Sequence, residues 1–399
     1  MQVLFRVYAV SSCLALLIAC HAAPGFAGRL MISVNDGKWP SIDGDYFIAN
    51  PVVPDTLVVL DTSVFPPRIA GQTEVHHSVI GPPMAAAISP DERIALVSAP
   101  NVLRSDLNLV PGQVGTNAMF VREPFIQVID LESSPPRLLD RVALSTQAYG
   151  VSFNKAGTLA LAAHIEGTVS VLAIDGKKVT LVETLKLGEP RSRLSHAAFT
   201  PDGKHAMVTR RGEGKVSVLD VNGTKVTYSG RDITVGFQPY GMEVFPDGKL
   251  AAVADHGDED GDADEITLVD LSREPYRAVE HVTVGETPEG VAVSPDGKWM
   301  AVTCIDGTNT PKGTSPFWQE HGSLRLFSIA EGHATKAGQL PIGKNPQGVA
   351  FTPDGQYILV QNYAEKELQA FKMTASGVED TGVKMPMPGG PASIRIAPQ

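Results

Sequence analysis

Seven short apolar segments of this chain share one layout, and three residues before the turn that ends each of them the side chain is usually small: Ala87, Ser152, Ala198, Ala292, Ala350. Glu243 and Arg395 stand at that position in the other two. A buried charge must be paired, hydrated or functional, so both are candidates for chemistry. Two residues before the small residue of its segment, His196 follows Arg191 and Arg193. An imidazole or a carboxylate can serve as general base, and guanidinium groups can hold an anion or a developing oxyanion. His196 and Glu243 are thus candidate catalytic groups, with Arg193 and Arg395 as candidate ligand-binding ones. The same residues would also suit a polar, water-filled channel.

A second set recurs just past the second apolar run of each segment: Asn35, Ala99, His164, Arg210, Asp255, Cys304 and Asn362. In a ring of repeats they are expected to converge around one mouth of a central channel. His164 joins the candidate bases, and Arg210, Asp255, Cys304 and Asn362 the candidate ligand-binding residues. The run from Asp258 to Glu265 places Asp258, Asp260, Asp262 and Asp264 at alternate positions around Gly261. Alternating oxygen ligands about a glycine are how calcium loops are built, although EF-hand spacing is absent; a calcium site and a solvated acidic loop both stay open. His76 and His77 are adjacent on an expected outer strand, where neighbours point to opposite faces and cannot share a metal. Trp39 and Trp318 sit in long loops, either as binding aromatics or as packing for those loops. There is no Gly-x-Ser-x-Gly, His-Glu-x-x-His, P-loop, Cys-x-x-Cys or haem-attachment motif.

The elements that would position these groups repeat. Pro346-Gln-Gly-Val-Ala-Phe-Thr-Pro-Asp-Gly355 followed by Tyr357 to Val360 reads as strand, tight turn, strand. Further openings start at Pro83, Ala148, Leu194, Pro239 and Pro288, and Pro391-Ala-Ser-Ile-Arg-Ile-Ala-Pro398 supplies one more before the chain stops. Third strands follow, such as Phe125 to Asp130, Lys215 to Asp220 and Glu265 to Asp270, and then a weaker fourth. Early in the chain, Leu30 to Val34, Thr56 to Leu60 and Glu74 to Ile80 are strand-like but lack an opening strand. The unit of roughly 45 residues is that of a propeller blade. The expectation is therefore an all-β, single seven-bladed propeller over 28–399, with four antiparallel strands per blade. Residues 391–397 should close the ring beside Leu30 to Val34, removing its edges. Long insertions at 35–55, 99–124, 255–265 and 304–322 should share one face.

Val208-Thr-Arg, Val302-Thr-Cys and Val360-Gln-Asn, each ahead of a run such as Val216-Ser-Val-Leu-Asp220, resemble the repeat of the YVTN-type seven-bladed propellers, relatives of the bacterial lactonase-like propellers. The resemblance covers essentially all of the chain past its first 27 residues and implies the blades. The His-Pro-His and Gly-Pro-Arg-His elements typical of the phosphogluconolactonase branch are absent.

Residues 1–27 read as an export signal: Arg6 precedes an apolar stretch, Val7 to Ala19, too short to span a bilayer. Cleavage after Ala27 and a lipobox, Leu17-Ile-Ala-Cys20, compete, so the protein is expected in the periplasm or secreted, with Cys20 as a lipid anchor if the lipobox is used. A formal net charge of −11, with no basic run to offset it, argues against nucleic-acid and anionic-membrane surfaces as partners. With only Cys304 left in the folded part, no internal disulfide forms. These features favour a monomeric, non-catalytic envelope protein that binds a small anionic ligand or a partner protein on the insertion-loop face. The alternative is a hydrolase of a sugar or acyl lactone, with His196 or His164 as base and Arg193, Arg210 or Arg395 holding the oxyanion. A further alternative is a docking partner for a periplasmic redox protein.

Overall fold

A computed structural model of the chain describes residues 29–313 and 318–398. The export signal and Cys20 lie outside the described residues. Seven four-stranded antiparallel sheets form the blades of a ring. In blade order, I to VII, the inner strands are Gly390–Ile396, Ala86–Ile88, Ala148–Phe153, Leu194–Phe199, Pro239–Val244, Pro288–Val293 and Pro346–Phe351. Blade I is shared between the two ends of the chain: Gly390–Ile396 pairs with Leu30–Asp36, with Met31 opposite Ile396 and Val34 opposite Ser393. The expected closure is present. The run expected over Glu74 to Ile80 is displaced: the fourth strand of blade I is Arg68–Val75, so His76 and His77 follow it rather than lie in it. There the Asp55 carboxylate accepts from the His77 amide at 3.0 Å and the Gln127 side chain from the His76 amide at 2.8 Å, which leaves neither amide free for a ladder.

The Pro-Asp-Gly turns explain why the blades repeat. In blade VII the Asp354 carboxylate accepts from the Thr352 hydroxyl at 2.6 Å and from the Gln356 amide at 3.0 Å, while Gly355 takes a φ of 70°. That glycine also faces Pro295 of blade VI, as Gly297 faces Pro246 and Gly248 faces Pro201. Each turn is thus both a local device and a contact to the preceding blade. Apolar side chains pack into seven clusters, one at each blade interface.

The long insertions meet on the face opposite these turns. Ile48 bonds to Gln113, Tyr46 to Asn345, Asn309 to Glu259, and Lys344 to Asp43. Trp39 is buried between Tyr46 and Phe120, with both ring centroids 4.7 Å away, and so fastens the insertions of blades I and II together. Trp318 lies under the Lys312 ammonium at 4.6 Å.

Candidate functional site

The recurrent residues at the ends of the second strands do not open onto the channel. Ala99 donates its amide to Ala148 of the next blade at 2.9 Å, and the polar members are held by their own blades and the connections between them. Asn362 accepts from the Gly343 amide at 3.0 Å and donates to Gln369 on the third strand at 3.0 Å. Asp255 accepts from Thr267 at 2.5 Å, Cys304 Sγ accepts from the Gly285 amide at 3.3 Å, and Asn35 donates to Thr56. His164 contacts Ser170 at 2.8 Å and Thr146 at 3.0 Å, one through each ring nitrogen. Arg210 donates to Glu213 at 2.6 Å and to Ser217 at 3.3 Å. These side chains clamp the second strand to the third and to the connection between blades, which corrects the expected convergence. Burial pushes His164 down to about 4 and Cys304 up to about 12, so the thiol is an inert core group.

Successive side chains on a strand point opposite ways, and one residue further on the chain does face the mouth. His256 Nε2 lies 3.0 Å from Glu289 Oε2, with both residues 4% exposed. Arg211 Nη2 lies 3.3 Å from His256 Nδ1, and Arg211 Nε donates to Gln238 at 2.7 Å. A guanidinium only donates, so Nδ1 accepts, the proton sits on Nε2, and Glu289 receives it. The guanidinium also lies 4.8 Å above the Tyr240 ring, which meets the His256 ring edge-on at 4.9 Å. On the neighbouring blade, burial raises the Tyr149 hydroxyl while Arg122, Arg211 and Arg193 pull it back. Three guanidinium groups therefore act on one buried phenol, and none of them has an ion-pair partner among the described residues. Acids hold the other side of the mouth: Glu289, and Asp258, which accepts from Gln238 at 2.7 Å.

Of the sequence candidates, Arg193 lies beside this mouth, where its carbonyl accepts from the Arg211 amide at 3.1 Å. Arg211, Tyr149, Tyr240, His256 and Glu289 were not singled out from sequence. The one signal for Tyr149, Tyr240 and Glu289 is the variable residue of the repeated openings, Ala148-Tyr-Gly, Pro239-Tyr-Gly and Pro288-Glu-Gly, and Arg211 and His256 had none. At the opposite end of the channel, Glu243, Arg395 and His196 do come together: Arg395 Nη1 donates to Glu243 Oε2 at 2.9 Å and Nη2 to Oε1 at 3.3 Å.

The acidic run spreads its side chains. Asp258 is held by Gln238, Asp260 accepts from the Asp262 amide, and Asp264 turns inward to the Thr287 amide at 2.7 Å. Among the described residues no three acids, histidines or cysteines gather as metal ligands. Instead, Asp264 abuts a strained group. Glu286 is buried with Oε2 unbonded, and burial, then Asp306 and Asp264, push its carboxyl up to about 7. Burial likewise lifts Asp264 to about 6. A carboxyl raised in the folded state stabilises fully below its unfolded value and loses that stabilisation as pH rises through its folded value. The melting temperature should therefore climb as pH falls from 8 to about 5.5, and Glu286→Gln should flatten that climb. Parallel profiles for wild type and variant would contradict the assignment.

No profile of a known protein family matches the chain, and no curated protein matches it by sequence. In structure it is similar to a Bacteroides fragilis protein provisionally named a 6-phosphogluconolactonase (15% identity, TM-score 0.67, 94% of this chain and 100% of that one). It is also similar to the periplasmic gluconolactonase of Pseudomonas aeruginosa (16% identity, TM-score 0.62, 92% and 99%). A third likeness is to Kuenenia stuttgartiensis hydrazine synthase (20% identity, TM-score 0.58, 80% and 91%). At such identities the likeness shows the fold, which the chain shares with lactonase-like seven-bladed propellers; the finer YVTN-type resemblance rests on the repeat residues alone.

Proposed function

We propose that the insertion-loop mouth binds a small hydroxylated carboxylate or the lactone that yields it, and that His256 with Glu289 hydrolyses the lactone. The observation that carries this reading is the hydrogen-bonded chain Arg211–His256–Glu289 beside Tyr149 and the unpaired Arg122 and Arg193. In a protein of net charge −11, arginines without carboxylate partners among the described residues around one opening suit an anionic group. When Arg211 turns to the ligand it releases the Nδ1 lone pair of His256, which can then take a proton from an attacking water. Glu289, receiving the Nε2 proton in a hydrogen bond, fixes the tautomer and stabilises the imidazolium. The arginines stabilise the oxyanion, and the imidazolium returns its proton to the ring oxygen as the ester C–O bond breaks. The lactonase names of two structural neighbours support the substrate class. The export signal read from the sequence would put this activity in the cell envelope.

The test is acid release from a panel of sugar and acyl lactones, with melting shifts measured in parallel for the product acids. Turnover should fall about 10²–10⁴-fold in His256→Ala, and Arg211→Met should weaken binding of lactone and acid alike. Product-acid shifts that depend on Arg211, without turnover, would leave a non-catalytic anion-binding protein. Neither turnover nor shifts would overturn the site.

A further inference from the structure

The channel is not continuous. Met84 of blade II crosses it to Gly241 of blade V, where a Cβ would lie 2.3 Å from the methionine Cε, and is itself buried. On the Pro-Asp-Gly side of that plug lies a separate cavity of about 130 Å³, lined by Ser152, His196, Glu243, Ala292, Ala350 and Arg395 among others. It is distinct from the mouth that holds His256.

Two features of this cavity are unexplained by folding. The first is the Glu243–Arg395 pair, which spans the channel from blade V to blade I at a position small in the other five blades. Each is the other's sole ion-pair partner among the described residues, and both side chains remain partly open, at 27% and 18%. The second is His196, which replaces the Gly, Ala or Ser of the other six blades (Ala85, Gly150, Gly241, Gly290, Gly348, Ser393). It is 1% exposed, lies against Gly150, and neither ring nitrogen has a partner at ordinary hydrogen-bond geometry. A buried imidazole with no side-chain partner is open to the donor and acceptor groups of a small ligand or of water.

We propose that this cavity binds a small zwitterion, an α-amino acid of glycine-to-serine size, whose carboxylate meets Arg395 and whose ammonium meets Glu243. The charge arrangement selects the class. A simple anion would have to part Arg395 from Glu243 and strand a carboxylate inside the channel; a simple cation would strand the guanidinium. A neutral ligand would leave the pair closed. A zwitterion exchanges one ion pair for two and strands nothing. His196, kept uncharged by burial and then by Arg395, which together push it down to about 3, adds no third charge and offers a donor and an acceptor to a side-chain hydroxyl. The cavity, about 130 Å³, accommodates a ligand of this size.

Calorimetry and thermal shift with glycine, alanine and serine, against acetate, methylammonium, glycinamide and N-acetylglycine, test the proposal. The amino acids should bind saturably and each single-charge analogue at least about tenfold more weakly. Glu243→Gln, which is isosteric, should abolish that preference and let acetate bind as well as glycine. His196→Ala should weaken serine more than glycine, and Arg211→Met, which acts on the other mouth, should leave amino-acid binding at this cavity unaltered. Absence of amino-acid binding to wild type at millimolar concentrations, equal binding of the single-charge analogues, or an unaltered preference in Glu243→Gln would each overturn it.

Discussion

Deleting residues 390–399 should yield a chain without a cooperative melting transition. The lost segment is the inner strand of blade I, and its ladder with Leu30–Asp36 joins the two ends of the described chain into the closed ring. Ala392 and Ile394 are each 1% exposed and Ser393 donates to the Pro83 carbonyl at 2.7 Å, so the strand also ties blade I to blade II. Ile394 belongs to the cluster between blades VII and I that contains Met31, Leu60 and Leu359. Burying one such side chain is worth about 1.5–3 kcal/mol, and the deletion removes a whole strand with its ladder from a fold whose total stability is of order 5–15 kcal/mol. It also leaves the Leu30–Asp36 edge unpaired, open to another chain. Near-UV circular dichroism and thermal melts of the truncated protein decide it: a sharp transition near the wild-type temperature would mean that closure is dispensable. Ile394→Ala, which keeps the strand, should cost only about 2–5 kcal/mol.

The blades were readable because a repeat multiplies weak local signals: one Pro-Asp-Gly turn is a turn, whereas several at even spacing are an architecture. The same repeat misled at the site. It marked His164, Asp255 and Asn362 as equivalent, which they are, but their equivalence is that of clamps to the third strand. The residues facing the mouth are out of step by one position and differ from blade to blade, so no recurrence marked Arg211 or His256. Glu289 hid inside a Pro-x-Gly opening that reads as pure scaffold. Glu243 and Arg395 were legible as exceptions to a small-residue rule. Their union needed the ring, because only its geometry sets blades I and V across from each other. The acidic run shows the limit of spacing as evidence: alternate aspartates in a loop diverge unless something gathers them, and here Gln238 and the Thr287 amide take two of them apart.

Lys38→Met should destabilise the protein by about 3–5 kcal/mol at pH 8, the cost of unpairing a buried charge cluster. Lys38 sits in the insertion of blade I at 5% exposure, and its ammonium donates to Asp36 at 3.2 Å, to both oxygens of Asp55 at 2.8 Å, and to the His77 carbonyl. Asp36 in turn caps the Lys38, Trp39 and Val79 amides, and Asp55 the Gly37 and His77 amides. The cluster thus sets the course of the insertion that carries Trp39 and Tyr46 to the mouth. Even with the ammonium present, burial outweighs Lys38 and lifts Asp55 to about 6. Methionine fills similar space but leaves two carboxylates facing each other in a dry interior, so Asp55 rises further and Asp36, which Lys38 now helps hold below the usual carboxylate range, rises too. Raised folded values mean stability that is present at low pH and lost as pH rises, and the deficit of the variant should therefore shrink between pH 8 and about 5.5. Adding Asp55→Asn to Lys38→Met should recover part of the loss at pH 8, because one of the stranded charges is gone. Urea denaturation of the three proteins at both pH values gives the answer. A deficit below about 1 kcal/mol, the range of exposed pairs, or one indifferent to pH, would mean that water reaches the cluster and that the insertion is held by its aromatic contacts instead.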